Sequence, residues 1–154
     1  MKEDSKNNTF IENRINRNYN EYITNQMTFI GYNTANPLLS GVETRQGLSN
    51  IVDKDSIVNS TIYSRGKASN IPINPSSIFY YDTSTKFKPD EILTTQHLGN
   101  DKWGLDNDGK YIRHVGAQKQ VLQFEILTNS DSAEKVNIAN EVADSYTRFG
   151  IPTT

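Results

Sequence analysis

Apolar and polar positions alternate cleanly in two stretches, both in the second half of the chain. Residues 119–128 (KQVLQFEILT) put Leu122, Phe124 and Ile126 on one face and Gln123 and Glu125 on the other. That two-residue period predicts a strand with one buried side. Residues 132–149 then space Ala133, Val136, Ala139, Val142, Ala143, Tyr146 and Phe149 as one face of a helix. Asp131 is the expected N-cap, with Glu134 reaching back to it. Gly150 marks the stop and Pro152 prevents continuation. Just upstream, Lys102–Leu105 and Lys110–Val115 flank Asp106-Asn107-Asp108-Gly109, and Asp-Gly between two such runs predicts a hairpin. Gly116 is expected to break the next strand away from it.

A third pattern lies near the start. Ile11, Ile15, Tyr19, Tyr22, Ile23, Met27 and Ile30 fall mostly three or four apart, predicting an amphipathic helix over 9–30. Thr9 and Glu12 form a capping box, and Gly31 stands where the helix should stop. Such a helix needs a partner for its stripe, because its own hydrogen bonds barely stabilise it in water.

Between these patterns the chain is aperiodic. Over 31–75, short apolar pieces such as Leu38-Leu39, Ile51-Val52, Ile57-Val58 and Ile62-Tyr63 alternate with polar runs. Residues 77–82 (SIFYYD) read as a strand; Pro89-Asp90-Glu91 reads as a turn or the first turn of a short helix, and 92–95 as strand again. The expectation is an α+β fold: a small antiparallel sheet with a C-terminal helix, an N-terminal helix and a long irregular extended segment. It divides into an N-terminal amphipathic helix (1–30), an extended arm (31–75) and a compact α+β domain (76–154).

Composition sharpens the middle part. Only 34% of the 154 residues are apolar, which is little for a core serving the whole chain. An arm at 31–75 would then gain its order from neighbouring subunits. The formal net charge of −2 and the scattered arginines offer no field for a run of phosphates, so sequence-specific nucleic-acid binding is not expected. There is no cysteine, hence no disulfide or thiolate chemistry. No apolar run reaches the ~20 residues that span a bilayer, and the first residues lack a leader's pattern. Synthesis and assembly in the cytoplasm follow as an expectation.

Candidate chemistry is sparse. Asp106-Asn107-Asp108-Gly109 has the flavour of a calcium loop, but Lys110 stands at the next alternating position and no Glu closes it, so it reads as a turn. His97 and His114 lack acid or thiol partners at ligand spacing. No nucleophile elbow, dinucleotide fingerprint or phosphate loop occurs. An enzyme is not expected, nor any cofactor or metal. Residues singled out for partner contact are Ile15, Tyr19, Tyr22 and Met27 on the first helix, and Trp103 with Tyr111 across the hairpin.

One resemblance bears on function. Residues 120–127, a short polar turn and then 133–142 resemble the strand–helix ending of bacteriophage tail-terminator and neck proteins, in which an alternating strand leads into an Ala-rich amphipathic helix. The heavy use of asparagine also resembles the bias of phages from low-GC hosts. The resemblance implies a non-enzymatic virion subunit of the tail, neck (connector) or baseplate. It would assemble in the host cytoplasm into a homo-oligomeric ring with other virion proteins. The alternative is a carbohydrate or host-surface binding module built on an aromatic patch of Trp103, Tyr111, Tyr80 and Tyr81.

Overall fold

Asp53, Asp90 and Ser132 each stand one residue ahead of a helix and cap it through their side chains. These caps place three of the four helices in a computed structural model that describes residues 26–63, 65–75, 77–81 and 88–154. In chain order the elements are α1 (Val42–Ser49), α2 (Lys54–Thr61), α3 (Glu91–Asn100), β1 (Gly104–Leu105), β2 (Tyr111–Val115), β3 (Gln118–Val121) and α4 (Ala133–Arg148). The fold is α+β: helices against one small antiparallel sheet of order β1-β2-β3.

The two hairpins of the sheet follow from their turns. Asp106 Oδ1 accepts from the backbone N–H groups of Asp108 and Lys110 at 3.0 Å each, and Gly109 adopts φ 74. The loop is thus an Asx-type turn, as its sequence implies. Gly116 does not separate the strands as expected. At φ 61 it forms, with Ala117, the two-residue turn that joins β2 to β3, pairing Val115 with Gln118. Glycine at the first central position is what a tight hairpin of this hand requires.

The alternating stretch at 119–128 serves two pairings rather than one strand. Residues 118–121 pair antiparallel with β2, whereas Phe124 bridges in parallel to Thr153. Leu122, fully buried at the switch, donates its backbone N–H to Tyr111 O at 2.8 Å. α4 begins one residue later than expected, with Ser132 rather than Asp131 as the cap. It ends as expected. Gly150 (φ 92) donates to Thr147 O and Ile151 donates to Tyr146 O at 2.9 Å, the paired bonds of a Schellman motif.

Three local expectations are corrected. Residues 92–95 belong to α3: Asp90 Oδ1 accepts from Leu93 N at 2.8 Å, and the Thr94 and Thr95 hydroxyls bond back to the carbonyls four residues earlier. The threonines suggest a strand by propensity, but the cap and the burial of Thr94 and Leu98 on one helical face prevail. Residues 77–81 form a turn and not a strand, because the Ser77 hydroxyl accepts from Phe79 N and Ser77 O accepts from Tyr80 N. The helix expected over 9–30 does not extend through 26–30, which carry no helical structure; its earlier part lies outside the described residues.

The stretch at 31–75, read as irregular, contains α1 and α2. Both are only 8 residues long, too short for a periodic stripe to stand out. They hold through tertiary contacts. Leu39, Leu48, Val52 and Ile57 share one core with Leu98, Trp103, Tyr111, Leu122, Val142, Tyr146 and Ile151. That core crosses the boundary expected at residue 75. The apolar shortage is real but is met by concentrating what there is, so residues 39–57 need no neighbouring subunit for burial.

α1 shows how distant residues complete a helix. Gly41 at its N-cap has no side chain to offer. Asp101 replaces it from just beyond α3: Oδ2 accepts from Thr44 N at 2.8 Å and from the Thr44 hydroxyl. Thr44 Oγ1 in turn accepts from Trp103 Nε1 at 2.9 Å. Thr44 is fully buried, so removing its hydroxyl strands both the indole N–H and part of the Asp101 carboxylate. Thr44→Val should therefore lower the unfolding free energy by about 1–3 kcal/mol, read from urea denaturation followed by Trp103 fluorescence.

Candidate functional site

A groove of about 910 Å³ runs between residues 27–33, the extended segment 123–128 and the face of α4. Its floor is apolar: Ile138, Val142 and Tyr146 from α4, with Phe124 and Ile126 beside them. The segment lies here because its alternation turns Phe124 and Ile126 inward and leaves Gln123, Glu125 and Leu127 exposed. Phe124 packs edge-on against Tyr146, with centroids 5.4 Å apart. The Tyr146 hydroxyl meets the Tyr32 hydroxyl at 3.1 Å, tying the 27–33 wall to the helix. Burial above all, then the neighbouring Tyr32, raises the Tyr146 pKa well above the usual tyrosine range, so the Tyr146 hydroxyl keeps its proton.

A second polar cluster sits where α1 meets α3. Glu43 Oε2 accepts from Asn100 Nδ2 and contacts His97 Nδ1, both at 2.8 Å. The hydrogen bond from Asn100, then that from His97, holds the Glu43 carboxyl below its ordinary range. A depressed folded-state pKa stabilises the fold above the ordinary glutamate value, about 4.3, and that contribution is lost as pH falls through the lower folded value. The melting temperature should accordingly fall on acidification below this point, and Glu43→Gln should make the fall shallower.

The residues singled out from sequence are dispersed. Ile15, Tyr19 and Tyr22 lie outside the described residues. Met27 is exposed and lines the groove. Trp103 and Tyr111 are core residues, each 3% exposed. Arg113 covers the Trp103 ring at 4.2 Å, and Tyr111 stacks on Phe149 with centroids 5.7 Å apart. An aromatic platform for a sugar needs an open ring face, so the carbohydrate-binding alternative fails on burial. His97 faces Glu43, whereas His114 is exposed on β2 opposite Lys119. Among the described residues no three acidic, histidine or cysteine side chains come together as a metal site. No helix among them is long and apolar enough to cross a membrane. Sequence reading missed Tyr32 and Ile138, and it placed Met27 and Ile30 on a helix rather than in the wall at 27–33. The available signal was the doubled alternation at 122–126, which marks a strand with a helix packed on one side.

Residues 3–154 match the family model for bacterial extracellular solute-binding proteins, family 5, middle region. The oligopeptide-binding protein AppA of Bacillus subtilis (strain 168) is 30% identical over 125 residues, which cover 80% of this chain and 22% of that protein. Among solved structures, NikZ from Campylobacter jejuni in complex with Ni(L-His) matches with a TM-score of 0.69 at 22% identity, over 80% of this chain and 24% of that one. AppA from Bacillus subtilis in complex with a nonapeptide matches with a TM-score of 0.65 at 24% identity, again over 80% and 24%. The chain thus spans about a quarter or less of the length of these relatives.

These matches overturn the virion reading. A strand leading into an Ala-rich helix is common to many α+β proteins, and here it belongs to a solute-binding fold rather than to a tail-terminator, neck or baseplate subunit. The homo-oligomeric ring, the virion partners and assembly in a host cytoplasm fall with it, since the family is extracellular and binds solutes. The pattern of the first residues carries no weight on this point, because the chain spans so little of its relatives' length. Solute-binding proteins hold their ligands without transforming them, so the chain is not enzymatic. By a match that runs almost from one end to the other, the chain belongs to the bacterial extracellular solute-binding proteins of family 5.

Proposed function

We propose that this chain forms part of an extracellular protein that captures oligopeptides for an ABC transport system. The observation carrying the reading is the relative that is 30% identical over 125 residues, a protein named for oligopeptide binding. The described residues add a physical reason. They gather no metal-ligating cluster, and their principal groove has an apolar floor bordered by backbone, by neutral polar groups and by one charge of each sign, Glu125 and Lys135. An apolar floor with a few polar and charged groups at its border suits the mixed side chains and main-chain groups of a peptide. The role proposed is structural support for a ligand site shared with the rest of such a protein.

The test is an exchange. The matching segment of Bacillus subtilis AppA is replaced by this chain, and nonapeptide binding is measured by calorimetry. Affinity should stay within about tenfold, or about 1.4 kcal/mol, of the parent. A folded chimera that has lost the nonapeptide but binds a nickel–histidine chelate would overturn the oligopeptide reading.

A further inference from the structure

Of the nine glycines in the chain, only Gly109 follows an aspartate or an asparagine. An Asp-Gly pair is the backbone sequence most open to ring closure. With no Cβ in the way, the glycine nitrogen can approach the Cγ of the aspartate before it. Asp108 and Gly109 are both exposed in the β1–β2 turn, so water reaches them.

Several contacts oppose that approach. Gly109 N donates to Asp106 O at 3.1 Å, and Asp106 N donates to Lys110 O at 2.9 Å. Asp106 Oδ1 accepts from Asp108 N and Lys110 N. Its Oδ2 pairs with Lys119 Nζ on β3 at 2.9 Å. Swinging the Gly109 nitrogen toward Asp108 Cγ rotates the Asp108 Cα–C bond and turns the Gly109 N–H away from Asp106 O. Gly109 O meanwhile lies against Gly150, where there is no space even for a Cβ. The glycine therefore has little room to follow its nitrogen. The hydrogen bond from Lys110 N, then that from Lys119, holds the Asp106 carboxyl below its ordinary range. It thus stays an acceptor in the mild acid that favours loss of water from a carboxyl group.

We propose that Asp108–Gly109 is a site of spontaneous aspartate isomerisation, and that Asp106 is the residue restraining it. The reaction is redox-neutral and needs only water. A bond forms between Gly109 N and Asp108 Cγ; the amide proton and the hydroxyl of the protonated carboxyl leave together as water. A second water opens the resulting succinimide. Cleavage between the nitrogen and Cγ restores aspartate. Cleavage between the nitrogen and the main-chain carbonyl carbon of residue 108 leaves isoaspartate, whose backbone runs through Cβ and Cγ. That backbone is longer by a methylene, so Gly109 O no longer fits against Gly150. The adjoining bond from Tyr111 N to Gly150 O, 3.0 Å, should weaken with it. A reaction at the surface is thereby coupled to the seam between the hairpin and α4.

The experiment compares the whole chain with a synthetic peptide of residues 103–110. Both are incubated in heavy-oxygen water at mildly acidic pH, and each passage through the ring leaves a heavy oxygen on residue 108. Trypsin in ordinary water then frees the 103–110 fragment, which is bounded by Lys102 and Lys110, and mass spectrometry places the label. Uptake at Asp108 should be slower in the folded chain by about tenfold or more, since the ring closes only while the turn is open. Asp106→Ala should bring the rate to within about threefold of the peptide's. Asp106→Asn keeps an acceptor and should fall between. Asp108→Glu, whose ring would be larger, should take up no label at this position. The purified isoaspartyl chain should exchange its Tyr111 amide faster than the parent, with the Val142 amide in mid-α4 unchanged. Four results would overturn the inference: equal uptake in folded chain and peptide, an Asp106→Ala chain that is folded by circular dichroism yet reacts no faster than the parent, label concentrated at another aspartate, or a Tyr111 amide indifferent to the isomer.

Discussion

Tyr146→Ala should lower the unfolding free energy by about 3–5 kcal/mol, the largest single-residue effect expected in this chain. Tyr146 has no exposed surface. Truncation removes an aromatic ring from the centre of the core and leaves a cavity beneath Phe124, whose edge-on contact at 5.4 Å is lost. It also deprives the Tyr32 hydroxyl of its partner at 3.1 Å. Urea denaturation read by far-ultraviolet dichroism and by Trp103 fluorescence gives the magnitude. Tyr146→Phe separates the two contributions. It keeps the ring and removes the hydroxyl, so its cost should be near the net worth of one hydrogen bond, about 0.5–1.5 kcal/mol. A comparable loss in both variants would place the energy in the hydrogen bond rather than in packing.

Gly150→Ala should cost about 2–4 kcal/mol from two causes acting together. At φ 92 the residue lies in a region that L side chains rarely adopt. A Cβ there would also lie 2.3 Å from the Gly109 carbonyl oxygen. That oxygen is backbone in the β1–β2 turn and has little room to retreat. Next to it, Gly150 O accepts from Tyr111 N at 3.0 Å, which stitches the end of α4 to the hairpin. A Cβ at 150 would therefore push the hairpin away from the helix and weaken the stack of Tyr111 on Phe149. The measured quantity is the urea midpoint. Slower exchange at Tyr111 N than in the parent protein would contradict the account, since that bond should be among the first weakened.

The two predictions address places where local pattern and tertiary packing agree. Where they part, the sequence misleads for identifiable reasons. α3 reads as strand because Thr94 and Thr95 are β-branched; in the structure their hydroxyls bond back into the helix, and Thr94 faces α1. α1 carries no local start signal, because the carboxylate that caps it belongs to Asp101. Trp103 and Tyr111 look like a surface patch on a hairpin, yet Arg113 and the α4 end cover them. For the cap of α1, the buried face of Thr94 and the cover on Tyr111, the deciding partner lies tens of residues away in sequence. The groove was partly legible. The alternation at 122–126 and the stripe of α4 named its strand and its floor, while the wall at 27–33 was hidden inside a helical pattern that the structure does not follow there.

The likeness to phage tail proteins arose from the same cause. A strand, a polar turn and an amphipathic helix are a local solution to burying one face, and unrelated folds reach it repeatedly. The family match rests instead on residues spread over the whole chain.

By itself, the sequence determined the elements whose signals are short in range: the Asp106–Gly109 turn, the helix at 133–148, its glycine stop and the α+β class. Caps, turn glycines and a periodic stripe act between neighbours, so a single chain displays them. Only the tertiary structure decided that residues 39–57 share the core of the second half, and that the extended segment 123–127 lies along residues 152–154 at the groove. Both depend on which distant surfaces meet, and burial of a sparse set of apolar side chains selects that meeting without leaving a local mark.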